Sequence, residues 1–272
     1  MKNIKSLISH YSAFLPIEEV RIFLQEILNV KLEQLLLKSE DIISEEDIAR
    51  LQEYCTRRIA GEPVAYIIGK KEFFGLEFKV NSDVLIPRPD TELIVEESLK
   101  ILHPSAKILD LCSGSGAVGI ALAKMAEQSI ITFADISEKA MEIAKLNAKF
   151  HKIENRANFI LSNWFDGISE NFDLITCNPP YISRLEINIM AIETIKYEPD
   201  LALFSDREGY GSYYILAQNA HKYLLDSGKM VIECGYNQAS KISQIFRENN
   251  WAEIKIKKDI TGIDRCLVLS YN

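Results

Sequence analysis

Residues 107–119 read Lys-Ile-Leu-Asp-Leu-Cys-Ser-Gly-Ser-Gly-Ala-Val-Gly, and this stretch decides the fold. The first five residues form a short apolar run typical of a buried strand, and a helical pattern opens after the second glycine. Gly114, Gly116 and Gly119 therefore make a G-x-G-x-x-G pattern between a strand and a helix. Asp135 ends the next predicted strand, nineteen residues after Gly116, where a carboxylate can accept both hydroxyls of a ribose. The pattern predicts a site for a cofactor that contains a nucleoside.

The chain on either side of this motif alternates between short apolar runs and helical patterns. Such alternation is typical of an α/β fold whose mostly parallel sheet carries helices on both faces. The last two strands are separated by too few residues for a helical crossover, so we expect them to pair as an antiparallel hairpin. Strands are predicted at 107–111, 130–134, 158–161, 172–177, 229–233, 253–257 and 266–270, and helices at 117–127, 137–150, 184–195, 211–225 and 238–249.

The first seventy residues carry helical periodicity instead. Pro16 is placed to begin a second helix, and Ser44 with Asp47 resembles a capping box that opens a later one. The period changes to two around Leu76, which indicates a strand, and 84–86 reads as the returning strand of a hairpin. These patterns predict a small helical bundle over 1–71, a β-hairpin linker over 72–89 and an α/β domain over 90–272.

A second motif, Asn178-Pro179-Pro180-Tyr181, follows the strand predicted at 172–177. It therefore lies at the C-terminal end of a strand, where open α/β sheets bind their ligands. The two prolines remove two N–H donors and leave a stiff loop rich in acceptors. Two acceptors at fixed spacing suit a flat NH2 group, such as an amide or the exocyclic amine of a base. The structural alternative is a simple tight turn, because Asn and Pro both favour turns.

Asp110 bears on the choice of cofactor, because it stands at the end of the first strand just before the glycines. A carboxylate there would repel the pyrophosphate of NAD and attract an ammonium group. S-adenosylmethionine carries both a ribose and an amino-acid ammonium. Asp110 could also cap the loop by a hydrogen bond, and the two roles are compatible.

The composition is that of an ordinary globular protein, with 47% hydrophobic and 26% charged residues. The formal charge of −8 argues against a wide nucleic-acid footprint, so no stable nucleic-acid binding is expected. The five cysteines are scattered and odd in number, which indicates reduced thiols in a cytoplasmic protein. Neither cysteines nor histidines cluster as metal ligands do, and no apolar run reaches the length of a membrane span.

With these motifs in this order, the chain resembles the class I S-adenosylmethionine-dependent methyltransferases. More narrowly it resembles the bacterial release-factor glutamine methyltransferases, the PrmC/HemK family, over nearly its whole length. The more specific signal is Pro-Arg-Pro-Asp-Thr-Glu at 87–92. The segments 58–69, 73–76, 84–92, 197–199, 202–204 and 233–238 also match. The resemblance implies a Rossmann-like sheet that binds S-adenosyl-L-methionine. It also implies methyl transfer to the side-chain N5 of the Gly-Gly-Gln glutamine of peptide-chain release factors, which the helical bundle would grip.

The resemblance also implies a role for each site residue. Asn178 and Pro179 would be the catalytic positions, each accepting one N–H of the glutamine amide. The substrate side chain would be held by Asn178, Pro179, Pro180, Tyr181 and Arg88. The cofactor would be held by Asp110, Cys112, Ser113, Gly114, Ser115, Gly116, Asp135, Trp164 and Asn178.

The chain departs from the family pattern at positions close to the cofactor. Cys112 stands where the family usually has glycine, and because cysteine resists a positive φ, the loop entry is expected to differ slightly. Asn163 replaces an aspartate near the adenine, and the segment 205–209 is a variant of an acidic, glycine-containing one.

Other functions remain open at this stage. A nucleic-acid amino-methyltransferase would share the cofactor and the Asn-Pro-Pro-Tyr motif, but the acidic charge and the lack of a basic recognition domain count against it. An NAD-dependent oxidoreductase would share the glycine loop, but Asp110 and the second motif count against it. A non-catalytic protein that binds release factors is disfavoured by the intact Asn178.

Overall fold

A computed structural model of the chain describes residues 2–271 and divides it into two compact units. One unit comprises the residues up to Lys70 together with Ala191–Tyr197, and the other comprises Lys71–Met190 and the residues from Glu198 onward. The α-helices are α1 (Ile4–Tyr11), α2 (Ile17–Leu28), α3 (Leu32–Leu37), α4 (Glu45–Ile59), α5 (Val64–Ile68), α6 (Glu92–Leu99), α7 (Ala117–Met125), α8 (Glu138–Phe150), α9 (Ile192–Tyr197), α10 (Asp200–Leu203), α11 (Gly211–Asn219) and α12 (Ala239–Glu248). The strands are β1 (Lys70–Phe73), β2 (Leu76–Lys79), β3 (Lys107–Leu111), β4 (Ile130–Asp135), β5 (Ala157–Leu161), β6 (Phe172–Cys177), β7 (Leu224–Glu233), β8 (Trp251–Lys258) and β9 (Asp264–Tyr271).

The helical unit is built from amphipathic helices whose apolar stripes meet in one core. Ser44 caps α4, because its hydroxyl accepts the Asp47 N–H at 3.1 Å, as the capping pattern predicts. The short helix α9 belongs to this unit although it lies far along the chain. Arg58 holds it, donating to Glu193 at 2.6 Å and to Glu19 at 2.7 Å. The core comprises Ile4, Leu7, Val20, Phe23, Leu24, Ile27, Leu35, Ile43, Leu51, Cys55 and Ile67.

The second unit contains a seven-stranded sheet in the order β5-β4-β3-β6-β7-β9-β8. The first five strands in this order run parallel, and β9 pairs antiparallel with both β7 and β8. The chain proceeds outward from β3 to β5 and then crosses back to β6 on the other side of β3. This reversal creates a topological switch point beside β3, which is where such sheets bind ligands. The predicted fold class, a mostly parallel sheet with an antiparallel C-terminal hairpin, is confirmed.

The strand register brings the predicted motifs to one edge of the sheet. Leu111 of β3 lies beside Ala134 of β4 and Cys177 of β6. Since these strands are parallel, the residues that follow them leave the sheet at the same level. The residues concerned are Cys112, Asp135 and Asn178.

The sheet is buried on both faces, as an α/β fold requires. Alternate residues of one strand enter different cores: Leu109 and Leu111 pack into one cluster, and Ile108 packs into the other. This explains why the central strands read as continuous apolar runs rather than as alternating ones. No helix within residues 2–271 is long and apolar enough to cross a membrane.

The hairpin lies earlier in the chain than predicted, and the prediction of a returning strand at 84–86 is wrong. The hairpin instead pairs β1 with β2 around Phe74 and Gly75, whose φ values of 52° and 70° make a tight turn. Residues 84–86 do not belong to a strand, and the Ile86 N–H donates to the carboxylate of Glu198 at 3.1 Å. A buried side chain far along the chain thus takes the place of the expected strand.

The helix predicted at 184–195 is also wrong, because two separate elements occupy this segment. Arg184–Ile189 is a 3-10 helix, and α9 follows after a break at Met190. The helix predicted at 211–225 ends at Asn219 and continues as a short 3-10 helix, and β7 begins at Leu224 rather than at the predicted residue 229. The remaining predicted strands and helices of the sheet unit are present, with ends that differ by a few residues.

Gly119 provides a test of how closely α7 packs against the sheet. A Cβ at this position would lie 2.5 Å from Phe133 Cε1 and 2.9 Å from Asp110 Oδ2. We expect Gly119→Ala to lower the free energy of unfolding by roughly 1–3 kcal/mol, because the helix must shift outward. Urea unfolding measures this. Lys124→Ala, at an exposed position of the same helix, is the control and should change stability by less than about 0.5 kcal/mol. An unchanged Gly119→Ala protein would contradict the close packing.

Candidate active site

A cavity of about 360 Å³ opens at the sheet edge where β3, β4 and β6 end. Its volume lies in the range of small-molecule sites. Three of the predicted site residues do not line its wall, namely Gly116, Pro179 and Tyr181. The predicted site residues that do line it are Arg88, Asp110, Cys112, Ser113, Gly114, Ser115, Asp135, Trp164, Asn178 and Pro180.

The glycine loop forms a tight turn over the end of β3. The Gly116 N–H donates to the Ser113 carbonyl at 2.7 Å, and Gly114 and Gly116 have φ values of 52° and 79°. Cys112 has a φ of 57°, in the left-handed region that cysteine resists. The loop therefore keeps a glycine-like entry at a cost of roughly 1–3 kcal/mol in backbone strain.

Asp135 holds the glycine loop and faces the cavity. Its Oδ2 accepts the Gly114 N–H and its Oδ1 accepts the Ser137 N–H, both at 2.9 Å. Each carboxylate oxygen has about two lone-pair sites, so both oxygens can still accept a further hydrogen bond from a ligand. Burial raises the pKa of Asp135, although its hydrogen bonds with backbone N–H groups oppose that shift.

Asp110 joins two parts of the site. Its Oδ2 accepts the Gly119 N–H and its Oδ1 accepts the Thr176 hydroxyl, both at 3.0 Å. The loop-capping role considered for this residue is therefore present in the structure. Burial raises the pKa of Asp110 to about 7, against the two hydrogen bonds that lower it, and the nearby charge of Asp135 raises it further. A cation bound in the cavity would favour the ionised form of both carboxyls.

The Asn-Pro-Pro-Tyr loop is held by its own carbonyl groups. The Pro180 carbonyl accepts the Ser212 hydroxyl at 2.7 Å, and the Tyr181 carbonyl accepts from Gln238 Nε2 at 3.0 Å. Asn178 lines the cavity, whereas Pro179 does not. The Asn178 NH2 donates to the Thr91 hydroxyl at 3.2 Å, which turns its Oδ1 away from Thr91.

Arg88 forms an ion pair with Glu198, whose carboxylate is buried. The second oxygen of the same carboxylate accepts the Ile86 N–H. Arg88 thus fixes a wall of the cavity, and its predicted contact with a substrate stays a prediction.

Several residues of the site were missed by the sequence analysis. Thr91 lies in the cavity wall behind Asn178, and Glu233 accepts the Tyr181 hydroxyl at 3.1 Å. Both stand in segments that match the family, but nothing in their spacing ties them to Asn178. A further part of the wall comes from the segment around α10 and contributes Pro199, Leu201, Ala202 and Phe204.

Cys177, which ends β6 just before Asn178, is a buried thiol. Burial raises the pKa of Cys177 well above its ordinary value, and a hydrogen bond with Cys112 raises it further. Among residues 2–271, no group of three or more His, Cys, Asp or Glu side chains is arranged to hold a metal ion.

Known proteins resemble this chain over most of its length. A bifunctional methyltransferase of Rickettsia bellii is 40% identical over 281 residues, which is 93% of this chain and 50% of that protein. The chain spans about half the length of the Rickettsia relatives that it matches. A release factor glutamine methyltransferase of Buchnera aphidicola is 39% identical over 251 residues, which is 92% of this chain and 90% of that protein.

A solved structure supports the fold. A methyltransferase from Pyrococcus furiosus superposes with a TM-score of 0.55 at 16% identity, covering 83% of this chain and 98% of that one. At this identity the likeness shows the fold alone.

Family models match both units of the chain. Residues 89–223 match the methyltransferase small domain, and residues 7–69 match the PrmC N-terminal domain. These matches and the extent of the Buchnera alignment agree with the resemblance read from the motifs. The chain belongs to the PrmC/HemK family of release factor glutamine methyltransferases.

Proposed function

We propose that this chain transfers a methyl group from S-adenosylmethionine to the side-chain amide nitrogen of a glutamine in a peptide-chain release factor. The observation that carries the proposal is the placement of Asn178 at the same sheet edge as the glycine loop and Asp135. Asn178 and most of the residues proposed for the cofactor thereby line one cavity. The names of the relatives supply the substrate class.

The residues of the cavity fit this cofactor. Asp135 offers an acceptor on each oxygen, which suits the two hydroxyls of a ribose. A side chain at Gly114 would meet no protein atom within 4 Å, so the loop leaves space for a ligand on that side. The carboxyl of Asp110 suits the ammonium group and would repel a pyrophosphate. When bound, S-adenosylmethionine supplies the methyl group on a positively charged sulfur.

Asn178 and Pro179 would orient the substrate. An amide nitrogen is a poor nucleophile because its lone pair is delocalised, but it can lose its proton after the attack. The chemistry therefore depends on positioning and local electrostatics rather than on a strong base. The Asn178 Oδ1 and the Pro179 carbonyl would each accept one N–H, and these hydrogen bonds strengthen as positive charge grows on the nitrogen. Tyr181 would pack beside the substrate and help to exclude water.

The test of the proposal is methylation of a defined acceptor. The protein is incubated with tritiated S-adenosylmethionine and with purified release factor, RNA or DNA in parallel reactions. Label on the release factor, mapped by mass spectrometry to its Gly-Gly-Gln glutamine, is the expected result. Label on RNA or DNA alone would favour the amino-methyltransferase alternative, and label on none would contradict both.

Asp135 is expected to control cofactor affinity. Asp135→Ala should weaken binding of S-adenosylmethionine by about 1.5–3 kcal/mol, because charged hydrogen bonds to the ligand and to the glycine loop are lost. Isothermal titration calorimetry measures this. Asp206→Ala, which removes an exposed carboxylate at the same cavity, is the control and should change affinity by less than about threefold. Binding of NAD as tight as that of S-adenosylmethionine would contradict the assignment of the cofactor.

Asn178 is expected to control the chemical step. Asn178→Ala should lower kcat by at least about 30-fold, roughly 2 kcal/mol, while cofactor affinity changes little, because the lost interaction is strongest in the transition state. Single-turnover assays at saturating cofactor measure the rate. Asn163→Ala, at another asparagine of the cavity wall, is the control and should retain kcat. A rate within about threefold of wild type would show that Asn178 is only a turn residue.

We propose that residues 1–71 dock the release factor, because a lone glutamine side chain offers few contacts. Deleting this segment is a poor test, since α9 would lose the partners that Arg58 and Ala60 provide. Hydrogen–deuterium exchange on the full chain is better. Release factor should slow exchange in α1 to α5, whereas S-adenosylhomocysteine alone should slow exchange around Cys112–Gly116 only. Slowing confined to the cavity in both cases would contradict the docking role.

A further inference from the structure

Two hydrogen bonds lie close together behind Asn178, and the second of them ends on a buried acid. The Asn178 NH2 donates to Thr91 Oγ1 at 3.2 Å, and the Tyr181 hydroxyl donates to Glu233 Oε1 at 3.1 Å. Thr91 and Glu233 are only 4% and 2% exposed. Glu233 Oε2 is buried and makes no hydrogen bond of standard geometry. A buried carboxyl with one unsatisfied oxygen is costly, so its presence here calls for a reason.

The Thr91 hydroxyl can couple the protonation state of Glu233 to the orientation of the Asn178 amide. It has a single hydrogen, and because its oxygen already accepts from Asn178, that hydrogen must point elsewhere. The hydroxyl lies near enough to the Glu233 carboxyl to stabilise its charged form. Oε2 of Glu233 has no other partner and can accept that hydrogen. An ionised carboxylate can only accept, so Thr91 must then donate to it and accept from Asn178.

We propose that Glu233 is a positioning residue that fixes the amide of Asn178 through Thr91, so that Oδ1 and not the NH2 group faces the substrate. The inference rests on the proposed function, because the substrate it serves is an amide NH2 group. That group has two donors in its plane, and an acceptor must meet it. A rotated Asn178 amide would set one NH2 against another and lose the hydrogen bond.

The protonation state of Glu233 decides to which neighbour the Thr91 hydroxyl donates its hydrogen bond. A protonated Glu233 can donate to Thr91, which can then donate to Oδ1 of Asn178 and turn the NH2 group toward the cavity. Burial raises the pKa of Glu233 to about 7, while Thr91, Tyr181 and Arg265 lower it and Asp90 raises it. Methyl transfer should therefore fall as the pH drops below about 7 and the carboxyl gains its proton. Burial raises the pKa values of Tyr213, Cys234 and Cys266, so these neighbours of Glu233 stay neutral in this range. The pKa of Asp110 is also raised to about 7, but a cationic cofactor at saturation favours the ionised form of Asp110.

The experiment measures kcat for methylation of purified release factor at saturating S-adenosylmethionine. The pH runs from roughly 5.5 to 9, which spans the raised pKa of Glu233 at about 7. Thr91→Val removes the relay at nearly constant volume and should lower kcat at least about tenfold with little change in cofactor affinity. Thr91→Ser keeps the hydroxyl and should retain a rate within about threefold of wild type. Glu233→Gln should lower kcat and remove the rise in rate near neutral pH.

Tyr213→Phe is the matched control for disturbance around Glu233. The Tyr213 hydroxyl donates to the Glu233 backbone carbonyl at 3.1 Å and not to its carboxyl. This variant should keep the wild-type pH profile. If Glu233→Gln fails to fold by circular dichroism, the comparison of Thr91→Val with Thr91→Ser and the wild-type pH profile still decide the matter.

The outcomes separate the inference from the proposed function. Equal kcat for Thr91→Val and Thr91→Ser, or a Glu233→Gln profile that matches wild type, overturns the inference while release-factor methylation stands. A wild-type protein that labels no release factor overturns both. Loss of rate in Thr91→Val, recovery in Thr91→Ser and a flattened profile in Glu233→Gln together support it.

Discussion

The buried carboxylate of Asp110 is the interaction on which the rest of the site depends. It lies at the end of β3 and receives the Gly119 N–H on one oxygen and the Thr176 hydroxyl on the other. The first bond fixes the start of α7 and with it the glycine loop. The second fixes β6 two residues before Asn178. One side chain at the switch point therefore sets the distance between the residues proposed for the cofactor and those proposed for the substrate.

This arrangement explains why the site tolerates buried acids. Burying a carboxylate without partners costs several kcal/mol, and the hydrogen bonds of Asp110 and Asp135 offset part of that cost. Burial nevertheless leaves the pKa of both groups raised. A ligand that carries positive charge would favour their ionised forms and be bound more tightly for the same reason. The electrostatics of the site thus favour a ligand that carries positive charge over one that carries a pyrophosphate.

The sequence predicted the sheet well and the connections poorly. Central strands such as β3 and β6 are buried on both faces, so their apolar runs are visible whatever packs around them. The error at 84–86 arose because those residues are apolar for a different reason: they pack as an irregular segment anchored by Glu198. The break at Met190 was invisible because α9 packs with helices from the start of the chain. Local periodicity carries no information about such distant partners.

The same limit explains which site residues could be found. Glycines and prolines have local backbone requirements, so the glycine loop and the Asn-Pro-Pro-Tyr loop can be recognised from the sequence alone. Thr91 and Asn178 are 87 residues apart, and nothing in either segment indicates their contact. Yet an asparagine side chain does not by itself select an NH2 group, because its amide has an acceptor on one side and donors on the other. Its polarity must be imposed from behind, and a buried acid is suited to impose it because, when ionised, it can only accept. The motif therefore points to the atoms proposed to face the substrate, whereas the residues proposed to orient those atoms become visible only in the fold.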